Sequence, residues 1–359
     1  MTINAMLFAP LPPPVGGISS ITAMLHRELG DDAGVLFLQP AAKTATWKRF
    51  FRPMISVTRL VRGTLQVRRE GRVVFFCSSG VSFWDKCVWA GFVLLSGRTV
   101  AMVMVAGDFP LKFAAAPRLP RALAHWLFRH PGLIVAAQSA SWMGVYRNIF
   151  PKTTITQVGA AVDQEYFHAR DASLARSYPL RLLFVGWITA DKGIVDLLDA
   201  VESIASSLDG RARIRLVGPM FGREGFWHGE LDRRGIGSLV ELAGPVTSRA
   251  DIVREYREAD GFVFPSHFEG FPVALLEATA AGLPCIATDV GGVADILDGG
   301  RTGMIVPPKS PPSLAAAIDT LVSDHSLRRS LGSAAGEYAR QAFALEACVW
   351  SYARLLGVR

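Results

Sequence analysis

Two glutamates, Glu269 and Glu277, flank the start of a helix that the sequence predicts within Pro265–Gly292, PSHFEGFPVALLEATAAGLPCIATDVGG. Pro272 suits the first helical position, because its fixed φ fits there and its missing N–H is not needed. Gly282 suits the left-handed position that ends the helix. Glu269 is then expected in the loop feeding the helix, and Glu277 about a turn and a half inside it. Strand-like runs precede and follow, at Gly261–Pro265 and Cys285–Thr288. Together they make a β-loop-α-β unit whose helix opens at the carboxyl edge of a parallel sheet. Ligands of open α/β sheets bind at that edge, and the free N–H groups of a helix start favour anions. Two acceptor carboxylates beside such a helix end describe a site for a ligand with both hydroxyls and a phosphate, as in a nucleotide sugar.

Other residues fit the same chemistry. Lys192, at the end of Leu183–Gly193 (LFVGWITADKG), offers an ammonium as a point charge for phosphate. Pro14-Val15-Gly16-Gly17 follows the first strand, and glycines there let backbone N–H groups approach a diphosphate. The loop is not G-x-G-x-x-G, so it gives little support to a nicotinamide cofactor. Asp108 closes a buried apolar strand and is suited to accept a hydrogen bond from a sugar or an acceptor hydroxyl. His267 lies in the site loop and reads as structural. The seven histidines form no H-x-x-H or H-E-x-x-H pair, and the four cysteines (Cys77, Cys87, Cys285, Cys348) form no C-x-x-C pair. No zinc site or disulfide framework is expected, which suits a reducing compartment.

The run Glu269-Gly-Phe-Pro-Val-Ala-Leu-Leu-Glu277 resembles the E-x7-E element of retaining GT-B glycosyltransferases of family 4, the glycosyl transferases group 1 type. The flanking Pro265-Ser266, Gly282-Leu-Pro284 and Val290-Gly-Gly292 fit the same pattern. The resemblance implies a GT-B fold, α/β, with two Rossmann-like doubly wound parallel-sheet domains facing a cleft. It implies a donor site in which Glu277 holds the ribose hydroxyls, Glu269 the hexose, and Lys192 with the Gly270, Phe271, Pro272 and Val273 helix start the diphosphate. Leu183–Gly193 resembles the family's F-V-G-R-x3-x-K-G loop and brings Gly186 to the donor. Leu216-Val-Gly218-Pro219 and Leu242-Ala-Gly244-Pro245-Val246 resemble the two nucleobase-pocket turns, with Gly218 and Val246 lining them. Gly16 and Gly17 would complete the phosphate side, and Glu269, Lys192 and Asp108 would carry catalysis. GT-B enzymes generally need no metal, and no D-x-D occurs here, so neither metal nor cofactor is expected.

Three departures mark a divergent branch. Trp187 replaces the arginine of the F-V-G-R loop, which removes one cation from the expected diphosphate clamp; Arg223 is a candidate substitute. Val103 or Val105 stands where a histidine is common. Gly159-Ala160-Ala161-Val162-Asp163 replaces P-N-G-V-D. The activity implied is transfer of a hexose-type sugar, with retention, to a saccharide or lipid-linked acceptor in cell-surface polysaccharide or glycoconjugate synthesis. Two other readings stay open at this point: a nucleotide-sugar-binding partner subunit without activity, and a GT-B sugar-nucleotide epimerase.

The elements that must position these residues alternate along the chain. Strands are expected at Asn4–Ala9, Val35–Gln39, Val73–Cys77, Thr99–Ala106 and Gly132–Gln138, then at Arg181–Val185, Arg213–Val217, Leu239–Ala243, Gly261–Phe264, Cys285–Thr288 and Met304–Val306. Helical patterns fill most intervals, which implies a doubly wound sheet in each half. With 359 residues, half of them hydrophobic, there is material for about two domains. The expected division is 1–170 for the acceptor domain, 178–338 for the donor domain, and 339–359 for a helix that crosses back to the first.

Charge is uneven: residues 1–175 carry 19 Lys/Arg against 9 Asp/Glu, and the remainder 19 against 22. Between Lys43 and Arg72, nine basic residues face only Glu70 and are interleaved with apolar ones, as in an interfacial helix on anionic lipid. No nucleic-acid module is present. The start, MTINAMLFAP, lacks a basic leader, and the longest apolar run, Val88–Leu95, is too short to span a bilayer. The expected place is the cytoplasm, peripheral on the inner face of the cytoplasmic membrane.

Overall fold

The computed structural model describes residues 3–9, 17–30, 34–38, 58–167, 179–222 and 225–358. The chain divides into two compact units, Met1–Ala161 with Leu345–Arg359, and Val162–Ala344.

The first unit holds β1 (Ile3–Phe8), β2 (Val35–Leu38), β3 (Val67–Cys77), β4 (Thr99–Met104), β5 (Leu133–Ala137) and β6 (Thr154–Gln157). They form one parallel sheet in the order β2-β1-β3-β4-β5-β6. Val100–Val103 are fully buried because helices cover both faces of the sheet, and this is why β4 reads as an unbroken apolar run. On one face lie helices Val81–Leu95, Phe109–Ala114, Arg118–Leu127 and Ala140–Ile149, packed through Phe83, Phe109, Phe113, Phe128 and Phe150. On the other lie helices Gly17–Leu29 and Leu345–Leu356, the latter through Cys348, Tyr352 and Leu356. Arg72, counted above in the basic run, donates from Nη1 to the carbonyls of Arg354 (2.7 Å) and Leu355 (3.1 Å) at the end of that last helix. It therefore serves the unit's own structure. Residues 43–57 of the basic run lie outside the described residues, as does Gly16, whereas Gly17 is the first residue of its helix.

The second unit holds β7 (Leu180–Val185), β8 (Ala212–Val217), β9 (Val240–Gly244), β10 (Gly261–Phe264), β11 (Cys285–Thr288) and β12 (Gly303–Val306). Their order is β12-β11-β10-β7-β8-β9, all parallel. This is the doubly wound Rossmann order, with its reversal between β7 and β10. The crevice outside that reversal is where such sheets take ligands.

The division of the chain differs from the expected one in two places. Residues 162–167 go with the second unit rather than the first, because buried Tyr166 packs edge-on against Tyr256 at 5.5 Å. Helix His325–Ala342 runs through the expected break at 338 and stays with the second unit, where Gly332 lies tight against the Gly282 backbone. Among the described residues no helix is long and apolar enough to cross a membrane.

Phe83 is the hinge of the first unit's aromatic cluster, with ring contacts to Trp84, Phe109, Phe113 and Phe128. Phe83→Ala is expected to destabilise the chain by about 3–5 kcal/mol, since it opens a cavity that fixed neighbours cannot fill. Urea unfolding followed by tryptophan emission checks this; an unchanged midpoint would mean that the site collapses freely.

Candidate active site

The loops after β7 and β10 meet at the reversal of the second sheet. Gly193 has φ +70°, and a Cβ there would lie 1.9 Å from the carbonyl oxygen of Pro265, so the two loops touch backbone to backbone. The His267 N–H donates to the Asp191 carbonyl (3.0 Å), and the His267 ring bonds Asp196 at 2.7 Å through Nε2. From the far side, Gly291 (φ +56°) presses on the carbonyl of Glu269, and the Gly292 N–H donates to the Gly270 carbonyl at 2.8 Å. Buried Thr288 bonds the Ser266 carbonyl from beneath.

Suspended this way, the Glu269 carboxylate sits 2.5 Å from Lys192 Nζ, with both side chains mostly shielded from solvent. The structure thus joins two residues that were singled out separately in the sequence. Phe271 is buried against Gly292 and Phe343, and helix Val273–Ala280 begins after Pro272 as its N-cap. Its first N–H groups have no intrahelical partner, and Gly282 ends it in the left-handed region at φ +72°.

Glu277 lies one turn into this helix and faces two tyrosines. It accepts from Tyr256 Oη at 2.9 Å and from the Tyr166 hydroxyl. Burial raises the Glu277 carboxyl to about 7; the two hydroxyl donors and the Arg249 charge pull the other way without cancelling it, and Asp163 adds to the rise. Arg249 is ion-paired with Asp163. No local pattern announced Tyr166 or Tyr256 as partners of Glu277; only the joining of 162–167 to the second unit brings Tyr166 in.

The remaining residues fall as follows. Gly186 and Gly218 leave β7 and β8, and the Gly186 N–H bonds the Val217 carbonyl (3.0 Å) while the Gly218 N–H bonds that of Gly244 (2.9 Å). Val246 is half-buried just past β9. Trp187 is 59% exposed and lies tilted against Phe221 with ring centroids 5.2 Å apart, so the position of the expected arginine offers an apolar ring. Arg223, its proposed substitute, lies outside the described residues. In the first unit, Asp108 is bound by Lys112 (2.6 Å) and Ser79; burial pushes its carboxyl up, yet these bonds win and hold it below the usual range. Val103 is fully buried within β4 and Ala160 is buried too. Among the described residues no three His, Cys, Asp or Glu side chains converge to hold a metal.

Residues 179–324 match the family model described as glycosyl transferases group 1. This stretch contains Lys192, Glu269 and Glu277 of the crevice just described. The D-inositol 3-phosphate glycosyltransferase of Streptomyces bingchenggensis is 30% identical over 202 residues, covering 52% of this chain and 44% of that protein. The putative colanic acid biosynthesis glycosyltransferase WcaL of Salmonella typhimurium is 28% identical over 243 residues, or 64% and 57%. The chain thus spans about half the length of these relatives. Solved structures agree on the fold across the whole chain. Sucrose-phosphate synthase of Thermosynechococcus elongatus has a TM-score of 0.76 at 18% identity, covering 98% and 97% of the two chains. Alr3699/HepE of Anabaena, in its UDP-glucose complex, has 0.76 at 17%, covering 99% and 100%. The fold is GT-B, an α/β architecture of two doubly wound sheets.

Within the second unit, the buried Glu277 makes stability depend on pH. Its folded value, about 7, lies above its ordinary 4.5, so its contribution is complete below about pH 4.5 and lost as pH rises through about 7. The loss is on the order of 3 kcal/mol at most. Thermal melts of wild type and Glu277→Gln from acid to mildly alkaline pH should show wild type losing ground over that window, with the variant lacking this component. Parallel curves would show that Glu277 titrates as an exposed carboxylate.

Proposed function

We propose that this chain is a retaining glycosyltransferase that moves a hexose-type sugar from a nucleotide sugar to a saccharide or lipid-linked acceptor in the synthesis of cell-surface polysaccharide or glycoconjugate. The observation that carries the reading is the Lys192–Glu269 pair at the reversal of the second sheet, one loop away from a helix start. HepE, which shares the fold, has been solved with UDP-glucose, and that supports a donor of this class.

In this reading the donor lies along the crevice of the second unit. The helix start at Phe271–Val273 and the Lys192 ammonium face the diphosphate, Glu269 accepts from the hexose hydroxyls, and Glu277 accepts from the ribose. The turns at Gly218 and Val246 flank the base. Gly16 and Gly17 and Asp108, from the first unit, serve the phosphate and acceptor sides. As the bond from the anomeric carbon to the departing phosphate oxygen breaks, negative charge grows on the diphosphate. Lys192 and the helix N–H groups stabilise that charge without reorganising. The departing phosphate takes the proton of the acceptor hydroxyl, whose oxygen bonds the anomeric carbon on the same face, which gives retention. Because the cationic role falls to Lys192, activity should persist in the presence of a chelator. The place of action is the cytoplasm. Trp187, which supplies no cation, favours as second reading a donor-binding subunit; release of nucleoside diphosphate in any acceptor mixture would eliminate it.

Calorimetry with nucleoside diphosphates and their hexose conjugates tests the assignment. Glu277→Ala should weaken both ligands by about 1–3 kcal/mol, since the ribose loses its acceptor. Glu269→Gln should leave nucleoside diphosphate affinity unchanged or higher, because Lys192 is freed, while turnover falls by about a hundredfold. Equal loss of affinity for both ligands in Glu269→Gln would overturn the role given to Glu269.

A further inference from the structure

The helical layer over one face of the first sheet carries an outer surface that the activity does not use. In helix Arg118–Leu127, Leu119, Leu123 and Trp126 are 70%, 57% and 72% exposed. Their spacing of four and three puts them on one stripe, opposite the buried Ala124. The neighbouring helix Val81–Leu95 packs alongside and exposes Val81, Val88 and Leu95, spaced by seven, opposite its buried Phe83 and Ala90. Both stripes point away from the same sheet, so they share one outward face. Large apolar side chains on such a face mark a surface for a partner or a membrane.

Charge decides between them. From Phe109 to Val162 the sequence has six Lys/Arg and not one Asp or Glu. Arg118 and Arg129, at the two ends of the exposed stripe of helix Arg118–Leu127, are themselves exposed. Asp85, exposed on the same side of the neighbouring helix as Val81 and Val88, is ion-paired with Lys86 at 2.7 Å. The apolar side chains form separate ridges on two helices, with a tryptophan among them and exposed arginines at both ends of the Arg118–Leu127 ridge. On helix Arg118–Leu127 this is the distribution that seats a helix at the boundary of headgroups and acyl chains, with the arginines complementing anionic headgroups. We propose that the outer face of helices Val81–Leu95 and Arg118–Leu127 binds the surface of an anionic phospholipid bilayer, with Leu119, Leu123 and Trp126 inserted and Arg118 and Arg129 on the headgroups. The proposal is independent of the sugar-transfer reading, since none of these residues is assigned to it, and of the basic run at 43–72.

Co-sedimentation of the full chain with phosphatidylcholine vesicles, with and without phosphatidylglycerol, tests it. Wild type should pellet with the anionic vesicles only, and less so as salt is raised. Leu119→Asp/Leu123→Asp/Trp126→Asp and, separately, Arg118→Glu/Arg129→Glu should each lower the partition coefficient by about tenfold or more. All five positions are exposed, so the thermal midpoint should stay at the wild-type value and serve as the folding control. Failure of wild type to bind, or equal binding by both variants, overturns the proposal. So does light scattering that shows a dimer lost in the apolar triple variant without any vesicle binding, because the face would then join two copies of the chain.

Discussion

The ligand-facing geometry of the second unit depends on one close approach, the backbone of Gly193 against the carbonyl of Pro265. A side chain at Gly193 would collide with that carbonyl, and the left-handed backbone there is itself disfavoured for other residues. Because these loops leave adjacent strands on opposite sides of the sheet's reversal, contact between them closes the floor of the crevice. The ion pair and the His267 ring bond each tie a side chain of one loop to a side chain of the other, and the His267 N–H to Asp191 carbonyl bond joins their backbones. The Gly291–Gly292 turn clasps the Glu269 backbone from the loop after β11, so the Glu269 loop is held from both sides. A charge placed this way has little freedom to reorganise, and that is the condition under which fixed dipoles do the most for a reacting bond.

Glu277 is governed by a different balance. A carboxylate among buried side chains has lost water, and two phenol donors return only part of what hydration gave it. The residue therefore stays responsive to whatever next occupies its free acceptor positions. Arg249 and Asp163, paired with each other nearby, set the remaining field. The arrangement keeps the helix turn that carries Glu277 fixed through Tyr256, whose hydroxyl also reaches the Ala274 carbonyl at 3.1 Å.

Much of this was legible in the residues. The strand-loop-helix-strand order around Glu269 and Glu277 follows from Pro272, Gly282 and the apolar runs on either side, and strands Gly261–Phe264 and Cys285–Thr288 stand where they were expected. The apolar run Val88–Leu95, by contrast, is the second half of helix Val81–Leu95. Apolar residues all round it hid its period, because its outer stripe is apolar as well as its inner one. The Lys192–Glu269 pair joins positions separated by 77 residues, and only the strand order shows that their loops are neighbours. Tyr166 was read as the tail of the first half because periodicity lapses after it; packing against Tyr256 assigns it to the second. Arg72 looked like one of a row of surface cations, and its use at the end of helix Leu345–Leu356 depends on a contact between the two ends of the first unit's sequence.

The pairing of Lys192 with Glu269 also has a bearing on selectivity. In the resting crevice the ammonium already has a counter-ion at 2.5 Å, so the local field seen by an approaching ligand is nearly that of a dipole. A small free anion must compete with a tethered carboxylate for the same proton donors, and it leaves that carboxylate stranded where water is scarce. A molecule that presents an anionic group and hydroxyls together satisfies both halves at once. Under the proposed function, the pair favours a ligand that replaces both partners in one event over simple phosphate.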